Sequence, residues 1–388
     1  MYAKWLTNFM DKKMKVPYNY LPMQFANPEE IFKEWRELIA STDFTLGAYV
    51  AKYEREFADY IGAKHCIATN NGTDALILGL KALGIGIGDE VITVCNSFYA
   101  TTGAIVAVGA IPVMVDCDDR YQIAIDQIER KINSKTKAIL PVHWAGASPD
   151  MNRIMEIARR HSLLVLEDAC MGIGGKYDGK NPGTFGHCGA YSLHPLKTLN
   201  VMGDGGMVVT DSDKLANWMR IYRNHGMIDR DHNVMWGVNM RIQPLQAIVA
   251  SYGLNKLDSI LEKRNQNAKY LDKLLSADDL TNYVQIPVRD VKNYETHSLY
   301  MGLFEYRDEL LHYLVDNQIE AKIHYPIPLH LQEAAIPYGY KSGDFPKSEM
   351  QAKKLITIPI HQYLDEKELD YVGSTVRNFY NKKGGKQC

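Results

Sequence analysis

The chain has 388 residues, 46% of them apolar and 23% charged, with a formal net charge of −2 at pH 7. That length can bury a large core and has room for one large and one smaller domain; the apolar and charged shares are those of an ordinary soluble globular protein. Acidic and basic residues are interspersed, so no basic face is set aside for nucleic acid or a membrane surface.

The N-terminal stretch MYAKWLTNFMDKKMKVPY lacks the apolar run of a signal peptide. No segment approaches the roughly 20 apolar residues of a bilayer span, so the expected compartment is the cytoplasm. Cys66, Cys95, Cys117, Cys170, Cys188 and Cys388 are scattered singly, without CxxC spacing. They read as reduced, buried thiols and not as metal ligands. From about residue 65 to 210, the apolar runs HCIAT, DEVITV, IPVMVD, KAILPV, LLVLED, GAYSL and GGMVVT alternate with segments of helical periodicity such as GTDALILGLKAL and MNRIMEIARRH. This predicts an α/β fold with a mostly parallel central sheet covered by helices on both faces. A long helical stretch follows from about Pro244 to Ala277. Strand-like VQIPV, HSLYMGLFEY and EAKIHYPI then open a second, smaller α+β domain. The expected division is 1–255, a large domain with an N-terminal arm, and 256–388. The lysine-rich end NKKGGKQC is expected to fray.

Ligands of such sheets bind at the carboxyl ends of the strands, and four segments fall there. ATNNGTDAL turns from a strand into a helix, and Asn71, Gly72 and Thr73 could cradle a phosphate at the helix start. Taken alone, this segment reads first as a plain helix N-cap. Phe98 ends the strand of VCNSFYATTGA, where an aromatic could stack on a ligand ring or simply fill core. Asp168 ends the apolar strand LLVLEDAC. A carboxylate there needs a partner; a pyridinium nitrogen suits it, and a helix cap is the competing reading. Lys197 follows the strand GAYSL in an apolar loop, where desolvation would make its amine a nucleophile. Gly84, Gly86 and Gly88 follow a helix and precede a strand, the wrong order for a dinucleotide fingerprint.

With these segments in view, the chain resembles the DegT/StrS nucleotide-sugar aminotransferases, pyridoxal-phosphate enzymes of fold type I. The resemblance runs from Phe44-Thr45-Leu46-Gly47 to the final helix, through NGTDAL, GDEVI, KTKAILPVH, LEDA, YSLHPLK, GDGG, RNHG, GVNMR and HYPIPLH. It implies pyridoxal 5′-phosphate as cofactor, with Lys197 the Schiff-base lysine and Asp168 the partner of the ring nitrogen. Phe98 would be the stacking aromatic, Ser192 a phosphate ligand, and Asn71, Gly72 and Thr73 the phosphate cradle. Asn239 of GVNMR would reach the cofactor phosphate of a neighbouring subunit, which implies a homodimer with shared active sites. The resemblance further implies a nucleotide-linked keto-sugar as substrate and glutamate as amino donor. Met171 stands where the family commonly carries a glutamine, and Asn71 where many members carry serine. His194 and His330 are candidates for contact with substrate; His194 could equally fix its own loop, and His225 and His324 have weaker claims. The pairing of NNGTD with GDGG is more like members acting on 3-keto sugars than the SGT and GEGG of members acting at C4. A 4-keto sugar or a cyclitol ketone, or a regulatory protein that keeps the lysine, are the alternatives.

Overall fold

The protein is described from a computed structural model covering residues 14–384. Cys388 and the first thirteen residues lie outside the described part.

The main sheet has seven strands: β1 (His65–Thr69), β2 (Glu90–Val94), β3 (Ile111–Val115), β4 (Thr136–Leu140), β5 (Leu164–Asp168), then, after the two-residue β6 (Lys176–Tyr177), β7 (Cys188–Ser192) and β8 (Gly206–Thr210). Their order is β1-β8-β7-β5-β4-β2-β3. Only β8 runs antiparallel to its neighbours. The strands are short and almost wholly buried, as a sheet covered on both faces requires. One face packs against helices Gly72–Ala82, Tyr99–Ala107, Met151–Arg160 and their neighbours. The other is covered by Glu29–Ser41, Gly47–Ile61 and Pro244–Leu254. The fold class is the one expected from the sequence.

A third core is formed by the last hundred or so residues with Val16 from the N-terminal end. It surrounds a small antiparallel sheet of β9 (Val284–Gln285), β11 (Tyr300–Phe304) and β12 (Leu355–Ile358) in the order β12-β11-β9; β10 (Asn293–Tyr294) instead pairs with β6. The helical stretch after Pro244 is two helices, Pro244–Leu254 and Leu257–Leu275, broken at Asn255 and Lys256. The second helix sends Leu257 and Leu261 into the second core and Ala268, Leu271 and Leu275 into the third.

Two expectations need correcting. EAKIHYPI does not form a strand. Its contact with the small sheet is the single bridge Lys322–Thr357, and Pro326 and Pro328 cannot donate to a ladder. Of the end expected to fray, Asn381–Gly384 continue the final helix, with Lys382 Nζ 3.2 Å from the Tyr313 hydroxyl and Lys383 paired with Glu309; residues 385–388 lie outside the described part. Among the described residues no helix is long and apolar enough to cross a membrane. The five described cysteines are unbridged.

Candidate active site

Because β1, β2, β4, β5 and β7 are parallel, their carboxyl ends open on one edge of the sheet, where the antiparallel β8 begins. There lies a cavity of about 600 Å³, lined by Asn71, Gly72, Thr73, Phe98, Asp168, Met171, Ser192, His194 and Lys197. Nearly every residue singled out from the sequence thus meets in one place.

The turn into helix Gly72–Ala82 is fixed first. Asn71 Oδ1 accepts the Asp74 backbone N–H at 2.8 Å, so Asn71 is a helix N-cap. Thr69, Gly206 and Ser192 are in register across β1, β8 and β7, which brings Ser192 under the turn. A methyl group added at Gly72 would lie 2.7 Å from Ser192 Cβ, and one at Gly206 would lie 2.3 Å from the Asn71 carbonyl oxygen. Only glycines let these three backbones close up. The result is a small cradle of helix-start N–H groups and hydroxyls, which suits a phosphate.

Asp168 is nearly buried at the end of β5. Its Oδ2 accepts the Thr101 hydroxyl at 2.7 Å, and its Oδ1 the Cys170 backbone N–H at 3.2 Å. The Thr101 proton is committed to Asp168, so Ser97, 2.7 Å from Thr101 Oγ1, donates in turn. The adjacent Glu167 has a different task. Buried completely, it accepts from the backbone N–H groups of Gly183, Phe185 and Gly186 and meets His143 Nε2 at 2.9 Å.

Lys197 sits in the loop after β7, with its backbone carbonyl held by the Tyr20 hydroxyl and Asn200 Nδ2, each at 2.8 Å. Burial pushes its amine below the ordinary lysine range, against the opposing pull of Cys170 and Asp168. His194 is likewise pushed down by burial and by the Lys197 charge, with Asp204 opposing.

Phe98 stays 46% exposed at the cavity, unlike a core aromatic, and with Tyr99 and Tyr325 forms a tilted cluster with centroids 5.4–5.9 Å apart. Met171 lines the cavity, and its carbonyl accepts the Thr296 hydroxyl at 2.6 Å.

Two predicted residues lie elsewhere. Asn239 is exposed on the loop after helix Asp213–Tyr222, where its side-chain oxygen accepts the Arg241 N–H at 3.3 Å. His330 is buried in a short 3-10 turn, its Nε2 3.0 Å from Glu349 Oε1 and its ring edge-on to Phe345. His330 is not among the residues that line the cavity.

The cavity also takes Asp204 of the GDGG turn and residues that local sequence patterns did not single out: Tyr18, Thr101, Trp144, Ser298, Lys322 and Tyr325. Their one visible signal was that HYPIPLH carried part of the resemblance; Tyr18 and Lys322 come from segments that only the tertiary fold joins.

The donor set fits pyridoxal phosphate. The glycine-closed cradle suits its phosphate, the exposed Phe98 face its ring, the oriented Asp168 carboxylate its ring nitrogen, and the desolvated Lys197 amine its aldehyde.

The DegT/DnrJ/EryC1/StrS aminotransferase family matches residues 26–377. A pleiotropic regulatory protein of Geobacillus stearothermophilus is 39% identical over 95% of this chain and 99% of its own length. A dTDP-3-amino-3,6-dideoxy-α-D-galactopyranose transaminase of Aneurinibacillus thermoaerophilus is 37% identical, over 90% and 95%. Among solved structures, a DegT/DnrJ/EryC1/StrS aminotransferase from Brucella abortus superposes with a TM-score of 0.88 at 34% identity, covering 94% of this chain and 99% of the other.

Proposed function

This chain belongs to the DegT/DnrJ/EryC1/StrS aminotransferase family of pyridoxal-phosphate enzymes, and on that premise we propose that it moves an amino group from glutamate to C3 of a nucleotide-linked keto-deoxysugar. The observation that carries the reading is the meeting, in one cavity, of the desolvated Lys197 amine and the oriented Asp168 carboxylate.

Pyridoxal phosphate, when bound, supplies an electron-withdrawing ring that stabilises charge at the carbon beside the migrating nitrogen. The chain's own groups do the rest. Asp168, with Oδ2 taken by Thr101, offers an anionic oxygen to a protonated ring nitrogen. Asn71, Gly72, Thr73 and Ser192 would hold the cofactor's phosphate, and Phe98 would stack on its ring. Lys197 Nζ, partly buried and pushed below the ordinary lysine range, spends more of its time uncharged than a solvated lysine; it serves as nucleophile and then carries the migrating proton. His194, which lines the cavity and is pushed toward its neutral form, is assigned a hydrogen bond to the sugar.

The choice of C3 is supported by the NNGTD and GDGG turns that border the cradle, and by the 3-amino sugar in the name of the Aneurinibacillus relative. Asn239, exposed and outside its own cavity, is assigned to the phosphate of a second subunit, making the enzyme a homodimer. We divide the chain at 255/256, the break between helices Pro244–Leu254 and Leu257–Leu275, shortly before the second helix passes from the second core to the third. The unbridged cysteines favour a reducing, cytoplasmic setting.

The test is to add glutamate to purified holoprotein and follow the cofactor spectrum. Conversion to the aminated form, followed by its reversal with a 3-keto nucleotide sugar, is the expected result. A higher kcat/KM for the matched 4-keto sugar overturns the positional assignment alone. The name of the Geobacillus relative favours one second reading, a regulator that binds the cofactor without turnover; a spectrum unmoved by any amino acid would establish it.

A further inference from the structure

The cavity's charges are unbalanced in a way that points to one residue. It is lined by three carboxylates, Asp74, Asp168 and Asp204, and by two ammonium groups, Lys197 and Lys322. Its two histidines add little positive charge: His324 is pushed down to about 4 by burial and by the charges of Lys322 and Lys197, and His194 is lowered as well. Lys197 is taken up by the chemistry. Yet both reactants of the proposed function are anions, an amino acid with its carboxylates and a sugar on a diphosphate.

Lys322 is built to stay where it is. Its backbone exchanges two hydrogen bonds with Thr357, at 2.9 and 2.7 Å. Its side chain lies over the Tyr18 ring, with Nζ 4.4 Å from the centroid. Glu320 Oε1 sits 3.2 Å from Nζ, while Glu320 Oε2 accepts the Tyr18 backbone N–H at 2.7 Å. Glu320 thus ties the lysine and the tyrosine together. Among the described residues Glu320 is the one carboxylate within ion-pair distance of Lys322, and the side chain keeps 37% of its surface exposed. An ammonium has three N–H donors. One charge contact and one ring face leave donors for an incoming oxyanion.

We propose that Lys322, seated on Tyr18 and steadied by Glu320, is the cavity's anchor for a substrate oxyanion, the carboxylate of the amino donor or the diphosphate of the nucleotide sugar. The inference rests on the aminotransferase reading for the identity of those anions, but not for the existence of the site. A charge-assisted contact in a partly desolvated cavity changes affinity by about tenfold or more.

The experiment uses the cofactor-loaded enzyme and its Lys322→Gln and Lys322→Arg variants. Calorimetric titration with inorganic pyrophosphate and with succinate, an unreactive dicarboxylate, reads binding without turnover. Lys322→Gln should weaken at least one probe about tenfold, and Lys322→Arg should retain most of the affinity. Both variants should keep the wild-type melting temperature and the borohydride-reducible cofactor adduct. The two half-reactions then assign the source: a raised KM for the amino donor points to the carboxylate, and a raised KM for the nucleotide sugar to the diphosphate. Equal binding of both probes by wild type and Lys322→Gln overturns the proposal, as does failure of the wild type to bind either. Lys322-dependent binding without any conversion by amino acids would leave the anion site standing and remove the proposed function instead.

Discussion

Asp168 is held so that one of its oxygens has no freedom to turn. The Ser97–Thr101–Asp168 chain of hydroxyls, each link 2.7 Å, spends the Thr101 proton on Oδ2. Thr101→Val removes that proton while keeping the shape of the side chain. It should lower kcat by about tenfold, the size of a lost hydrogen bond to a charged group, with cofactor affinity nearly unchanged; stopped-flow rates and a cofactor titration check both. Asp168→Asn should still bind the cofactor but slow both half-reactions by several powers of ten, since an amide cannot hold a pyridinium proton. Near-normal reaction of the donor in that variant would make Asp168 a structural residue. Two histidines, one of them lining the cavity, set a pH limit. His324 and His361 are both pushed from 6.5 down to about 4, chiefly by burial. The unfolded chain therefore takes up protons between pH 6.5 and 4 that the folded chain refuses. Stability is full above pH 6.5 and falls as the pH drops toward 4. His361→Gln retains a donor for the Pro17 carbonyl, 3.0 Å from Nε2, without the titration. Its urea midpoint should fall less between pH 7 and pH 5 than that of the wild type.

At the scale of elements, the site depends on how closely β1, β7, β8 and the helix after Thr69 approach one another. Gly206→Ala would drive a methyl group to 2.3 Å from the Asn71 carbonyl and so displace the cradle. We expect about 1–3 kcal/mol of destabilisation, typical of overpacking, and weaker cofactor binding, read by thermal melts with and without cofactor. The seven strands of the sheet were legible because each is an apolar run ended by a turn. The direction of β8 was not, because an apolar run reads the same both ways and only its partners set its sense. The segment from Pro244 to Ala277 reads as continuous because Asn255 and Lys256 carry no strong stop signal, and Leu254 and Leu257 on either side of the break pack into the same core. The positions of Asp168 and Lys197 could be inferred from carboxyl ends of strands. Thr101 could not, since its value lies in a contact to a residue 67 positions away.

For the whole molecule, the proposed dimer predicts a rescue that no single chain can give. Lys197→Ala and Asn239→Asp chains are each expected to be inactive as homodimers. Mixed under exchange conditions, they should form hybrids with one intact site and regain part of the activity, whereas full activity from a demonstrated monomer would rule the arrangement out. The connection between the chain's first described residues and its last domain has a consequence for synthesis. Tyr20 holds the Lys197 carbonyl, Val16 is packed among residues of the C-terminal core, and the Pro17 carbonyl is bound by His361, 344 positions further on. The early segment cannot reach its place until that distant histidine has left the ribosome, on the order of half a minute later at ordinary elongation rates. The nascent large domain must therefore wait with its lysine loop unclamped, and a ribosome-stalled chain ending before residue 361 should bind cofactor poorly even with its whole cradle translated.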